Sequence, residues 1–419
     1  MLVSKNSFFA CCVLLFSLPG SLQAIFPINI LRPYDEFYYL NSQGESFQFY
    51  GVAEHGFKSQ GRAENGDKVQ PFQLWQCSQN SLAMFNGFAP DSQEGQFVNQ
   101  FGNIIDDGSI GHLIPKADVE YNGCVMSARW YVPYDISLSI HVPIYSMSVK
   151  NVNWCDLTLD DGNATGQLVR QELTSKIASR TQEFGNLYLG GWKRTGIGDL
   201  VFAARWMREF PQIKQLLRTV TLNVGGGLTV PTAKTQNICN ALDINFGNDG
   251  AAGLFIEGGI DLRWEYHLRA GIDALFLHLF NSSATRRIKI DPAQTDILEL
   301  VTAPSVRDFA LTQRYNIFLE LNKIFRGLSL RATYQFWQHG GDLLSLKTNS
   351  FSTNIASTAR RFDDWTMHNL IFLLFYDTQD DFYSSAKVTP AFSFYYKLPI
   401  NGSGSILMHG IGGALVLNF

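Results

Sequence analysis

The chain has 419 residues, 33 Lys and Arg against 37 Asp and Glu, and a net charge of −4, so nothing favours nucleic acid as a partner. Its 36 Gly, 32 Phe and 16 Tyr suit strands that approach closely and present rings to lipid. The length fits one large all-β domain.

Lys5, the apolar run Phe8 to Leu18, the Pro19–Gly20 break and Leu22-Gln23-Ala24 read as a signal peptide over 1–24, cleaved after Ala24. Residues 25–44 are rich in Ile, Phe, Pro and Tyr and read as a periplasmic lead-in or a small plug in a lumen. Beyond them no stretch approaches the roughly 18 apolar residues of a membrane helix. A chain that leaves the cytoplasm without a helical anchor is either soluble or a closed barrel, because only a closed barrel otherwise satisfies backbone groups in lipid.

Period-2 patterning decides for the barrel. Strands are predicted at 46–58, 117–131, 136–149, 199–208, 218–230, 254–266, 268–280, 314–322, 328–338, 366–377, 387–397 and 409–419. In Leu254–Tyr266 one face reads Leu254, Ile256, Ile260, Leu262, Trp264 and Tyr266, and the other carries Glu257, Asp261, Arg263 and Glu265. The apolar faces end in aromatics (Trp264, Tyr334, Phe336, Tyr396), as at the interfacial girdles of a membrane barrel. The fold class expected is therefore an all-β, antiparallel transmembrane β-barrel of about 12 strands over 45–419. Residues 68–76 and 81–88 offer a further pair and an alternative of 14. Strand 117–131 changes face around Cys124 and calls for a bulge there or a shifted register.

Connections alternate between short and long. Short turns would face the periplasm and long loops the outside. The second long loop spaces Leu168, Val169, Leu173 and Ile177 as a short helix does. The last strand, His409–Phe419, ends in a terminal Phe and resembles the assembly signal of bacterial outer-membrane barrels. Phe419 is thus the expected contact for barrel-assembly machinery.

Gly196-Ile-Gly198-Asp199-Leu200 opens the fourth strand, and Leu228-Thr-Val-Pro231-Thr232 ends the fifth. This pair resembles the outer-membrane family associated with meta-pathway phenol degradation, grouped with hydrophobic-compound transporters. That family continues from Pro-Thr into Gly, where this chain has Ala233. The resemblance implies a barrel and the uptake of small or apolar solutes. No helix follows Gly-Ile-Gly-Asp, so it is not a nucleotide loop.

By the same alternation Asp199, Arg205, Glu257, Asp261, Arg263, Glu265, Arg269, Asp273, Glu320, Arg331, Lys387 and Lys397 face the lumen. There they must be solvated or paired. On this topology Cys155 and Cys239 share the outer side and are expected to form a disulfide. The histidines lack metal-ligand spacing, and no cofactor is expected. His141 shares the lumen face with Ser137 and Ser139, the wrong side for a lipid hydrolase, so no enzyme is expected. The reading is an outer-membrane channel, with membrane lipid and an unnamed small solute as partners. The alternative is a surface barrel with a closed lumen whose loops bind a partner.

Overall fold

The computed structural model describes residues 46–102, 104–159, 163–214, 216–264, 267–325, 327–378 and 388–419. The signal peptide, the 25–44 lead-in, Glu265 and Lys387 lie outside them. Twelve long strands pair antiparallel. They are β1 (Phe47–Arg62), β2 (His112–Val132), β3 (Ile136–Asp156), β4 (Leu200–Pro211), β5 (Leu217–Val230) and β6 (Gly253–Trp264). There follow β7 (Leu268–Leu279), β8 (Thr312–Phe325), β9 (Leu328–His339), β10 (Trp365–Asp377), β11 (Thr389–Ser403) and β12 (Ser405–Asn418). Each strand pairs with its chain neighbours, and β1 pairs with both β2 and β12, so the sheet closes. Closure removes the edge that an open sheet would leave.

The seam sits where the sequence placed its terminal signal. Phe419 N donates to Phe47 O at 2.9 Å, and Ser46 N donates to Phe419 O at 3.1 Å. The Phe419 and Phe47 rings lie 5.7 Å apart, with Trp130 5.4 Å from Phe47. At the other end an outward aromatic run crosses four strands. It comprises Phe276 to Tyr315 at 5.9 Å, Tyr315 to Phe336 at 6.2 Å, and Phe336 to His368 at 4.8 Å. Between these girdles the outward residues are apolar and exposed, among them Ile260, Ile272, Ile317, Leu319 and Leu330. No described helix is long and apolar enough to cross a membrane.

Several boundaries move. β2 and β3 are 21 residues each, longer than predicted, because they continue past the barrel wall into the loop region. Lys68–Val69 and Gln79–Asn80 are two-residue additions to β1 and β2, so the count is 12 and not 14. β11 and β12 turn tightly at Gly404, whose φ of 56° is a left-handed conformation that glycine adopts without steric cost. The predicted helix in the second loop forms Ala164–Val169 and Ile177–Gly185, joined by a π turn.

The bulge expected at Cys124 is not there. Register runs unbroken through Ala53↔Cys124↔Ile144, and the irregularity falls between Lys116 and Asp118. Inward residues of β2 are apolar on the loop side (Val119, Tyr121) and polar on the turn side (Ser127, Arg129), all buried. The lining changes character while the strand keeps its face.

Because Ile260 is on the outward face, Ile260→Arg should cost about 2–4 kcal/mol near the midplane of a bilayer. Urea unfolding of barrels folded into vesicles measures this, and unchanged stability would show that the face does not meet lipid.

Candidate functional site: a paired lumen, an inward loop and a loop-side chamber

Ion pairs that bridge strands cross the lumen. Arg205 on β4 pairs with Glu257 on β6. Arg314 on β8 lies 3.0 Å from Asp273 and 4.0 Å from Glu257. Asp261 pairs with Arg269, which also lies 3.5 Å from Glu320. Arg331 Nε donates to Glu320 at 2.6 Å and its guanidinium covers the Phe318 ring at 4.3 Å. On the opposite wall Lys397 pairs with Glu54, to which Tyr395 Oη donates at 2.7 Å. Arg129 donates to Gln48 at 2.8 Å. His141 Nδ1 lies 2.9 Å from Ser127 Oγ, and its Nε2 lies 3.1 Å from Ser139 Oγ, all facing inward.

Arg205, Glu257, Asp261, Arg269, Asp273, Glu320, Arg331 and Lys397 are joined in this network as pairs, one of the two states, solvated or paired, that burial demands. Arg263 is the least enclosed, at the turn-side mouth, 3.7 Å from Glu209. Glu54, Arg129 and Arg314 complete the network and were missed, although their positions on the inward parity of β1, β2 and β8 marked them.

Asp199 has a different task. Its Oδ1 accepts from Ala233 N at 3.0 Å and its Oδ2 from Asn248 N at 2.6 Å. Thr232 Oγ1 donates to Gly198 O at 2.7 Å and accepts from Leu200 N at 3.1 Å. The Gly196–Leu200 and Leu228–Thr232 motifs are thus two halves of one clasp, which turns the 231–252 loop into the barrel. Gly247 must be glycine, since a Cβ there would lie 2.4 Å from Asp199 Oδ2 and 2.5 Å from the Ala233 Cβ. Inside, Phe246 is 1 % exposed and meets Tyr145 edge-on at 6.2 Å. Arg194, from the Trp192–Ile197 strand, caps the Phe246 ring at 4.4 Å and lies 3.2 Å from Asp243. The loop joins one apolar cluster with Leu275, Leu277, Val201, Met147 and Trp337 of the wall.

Above this plug lies a chamber of about 120 Å³, walled by Leu74, Trp75, Ile244, Ile297 and Ile406 among others. Arg286, Arg287, Arg307 and Arg361 also reach it. It is roofed by a small sheet of Ser282–Ile288, Val301–Asp308 and Leu343–Leu346. Arg287 donates to the carbonyls of Ile238, Gly185, Asn186, Glu299 and Leu300, tying three loops together. Burial lowers its guanidinium to about 10. For Asp342, burial alone would raise the carboxyl, but Arg307 and His339 outweigh it and hold it well below the usual range. Burial raises Asp243. It also pushes Asp363 up to about 8 and Asp364 to about 7, aided by the Glu64 charge.

The expected Cys155–Cys239 disulfide is not formed, and both are free thiols. Cys155 belongs to the extended β3, opposite Ile114, and its sulfur accepts from Asn153 at 3.6 Å. Cys239 rides on the inward loop and accepts from Asn186 at 3.8 Å. No group of metal-ligating side chains occurs among the described residues.

The sequence matches no protein-family model and no curated protein. Its structure is similar to an outer membrane channel from Pseudomonas putida F1, with a TM-score of 0.52 at 9 % identity. That likeness covers 92 % of this chain and 100 % of the other. The chain has the fold of an outer-membrane channel. A Pseudomonas aeruginosa FadL homologue aligns at TM-score 0.29 and 10 % identity, covering 96 % and 98 % of the two chains. The β domain of the Bordetella autotransporter Brka aligns at 0.35 and 8 %, covering 90 % and 100 %. These last two are too distant to bear on fold or function.

Removing one member of a lumen pair takes a countercharge from a buried partner. Glu257→Gln, which leaves Arg205 and Arg314 without their shared acid, should destabilise by about 3–5 kcal/mol. The double change Arg205→Met, Glu257→Leu should be milder than the single one. Chemical unfolding in detergent compares the two, and equal losses would argue against a buried pair.

Proposed function

We propose that this protein is a passive channel of the outer membrane for small solutes with an apolar body, delivered there as a secreted precursor. The observation that carries the reading is the chamber stacked above the lumen. A compartment with an apolar wall (Leu74, Trp75, Ile244, Ile297, Ile406) and an arginine-rich side sits at the long-loop end, separated from a charge-paired bore by one loop that the fold aims inward. The outward apolar band between two aromatic girdles supports a membrane setting, with lipid as its partner. Long loops then face outward and Phe419 marks the end read by assembly machinery. The unassigned step is opening, because the 231–252 loop fills the upper bore.

Conductance tests this directly. Replacing Gln236–Phe246 with a short Gly-Ser linker removes the plug but keeps the Asp199 clasp. In a planar bilayer the variant should show larger and more frequent openings than the native chain. If neither form conducts, the lumen is closed and the long loops serve a surface-binding role instead.

A further inference from the structure

Two cavities meet at one carboxylate. The chamber of about 120 Å³ and a smaller cavity of about 20 Å³ share Asn245, Asp249 and Arg307 as wall. The smaller one reaches Leu277, Leu279, Trp365 and His339, at the loop-side end of the bore. Asp249 stands between them near the end of the plug loop. Its Oδ2 accepts from Arg286 Nε at 3.0 Å and Nη2 at 2.8 Å, and lies 3.5 Å from Arg307 Nη1. Its backbone is left-handed, with φ of 52°, and Gly250 follows at 77°. For a non-glycine residue that conformation is strained, and strain persists where the surroundings impose it.

The other acids of the chamber are already matched. Asp243 has Arg194 at 3.2 Å and Asp296 has Lys289 at 2.7 Å. Asp342 holds Arg307 from the far side. Asp249 is therefore the acid that ties the inward loop to arginines of the roof sheet.

We propose that Asp249 occupies the place of a solute carboxylate: a small anionic solute with a compact apolar body enters the chamber, takes Arg286 and Arg307 from Asp249, and so releases the plug. This deepens the channel reading and rests on it for the direction of passage. The exchange keeps both guanidiniums paired, and the displaced Asp249 carboxylate leaves with the plug for water, so no buried charge is left uncompensated. A neutral solute of the same shape offers no such exchange and leaves the latch shut. At about 120 Å³ the chamber is of the order of the roughly 150 Å³ cavity that holds a benzene ring, and its wall offers both apolar side chains and guanidiniums.

Benzoate and benzyl alcohol make the matched pair of probes for the full chain folded in detergent. By calorimetry benzoate should bind and benzyl alcohol should bind at least about tenfold more weakly, a difference of roughly 1.4 kcal/mol. Asp249→Asn, which removes the internal competitor, should tighten benzoate and leave benzyl alcohol unchanged. In the native chain, benzoate should also speed alkylation of Cys239, which rides on the plug loop, several-fold over benzyl alcohol. That readout does not depend on the variant folding. Equal binding of the two probes, or equal Cys239 labelling rates, would overturn the proposal. Uptake into proteoliposomes separates the two ideas: benzoate binding without flux contradicts the channel, whereas flux of both solutes without preference contradicts the latch.

Discussion

Everything inside this barrel depends on pairing charge where water is scarce. Alternation sends every second residue of a strand inward, and a bore of 12 strands brings those residues within reach of each other. Arg205, Arg269, Arg314 and Arg331 each meet an acid from a neighbouring or next strand. An isolated ion there would cost several kcal/mol, while a matched one about breaks even. The network therefore contributes specificity more than net stability. It fixes which strand lies beside which, and a one-residue slip would carry every charge to the lipid face.

The second constraint is imposed by the clasp. Asp199 receives two backbone N–H groups from the 231–252 loop, and Thr232 closes the same junction from the other strand. A loop at a barrel rim would otherwise lie out in solvent. Here it turns inward and buries Phe246 and Leu242, extending the apolar lining of β3, β6 and β7 across the bore. Polar network, plug and chamber thus form three levels along one axis, and the charges of Arg286, Arg307 and Asp249 join the upper two.

Strand parity was legible because an apolar outer face and a charged inner one give opposite faces opposite chemistry. That contrast carried the twelve strands, the inward acids of β6 and the terminal seam. It fails where both faces are apolar. On β2 the lining turns from Ser127 and Arg129 to Tyr121 and Val119, and the pattern imitated a change of face at Cys124. The Asp199 motif was visible as sequence, but its hydrogen-bond partners lie more than thirty residues away in the chain. Cys155 and Cys239 illustrate the same limit. Sharing one end of the barrel does not bring two thiols together when one is locked in a strand and the other is drawn inward. The chamber is assembled from seven separate loop and strand segments, so no local pattern announced it.

The central claim, that one face of each strand meets lipid while the other is packed with paired charge and plug, is open to a direct measurement. Single cysteines at each position from 254 to 261 on β6, in a background with native cysteines changed to serine, can carry a small fluorophore in vesicles containing brominated lipid. Quenching should alternate, strong at Leu254, Ile256 and Ile260 and weak at Phe255, Glu257 and Asp261. Uniform quenching, or strong quenching at Glu257 and Asp261, would contradict the account.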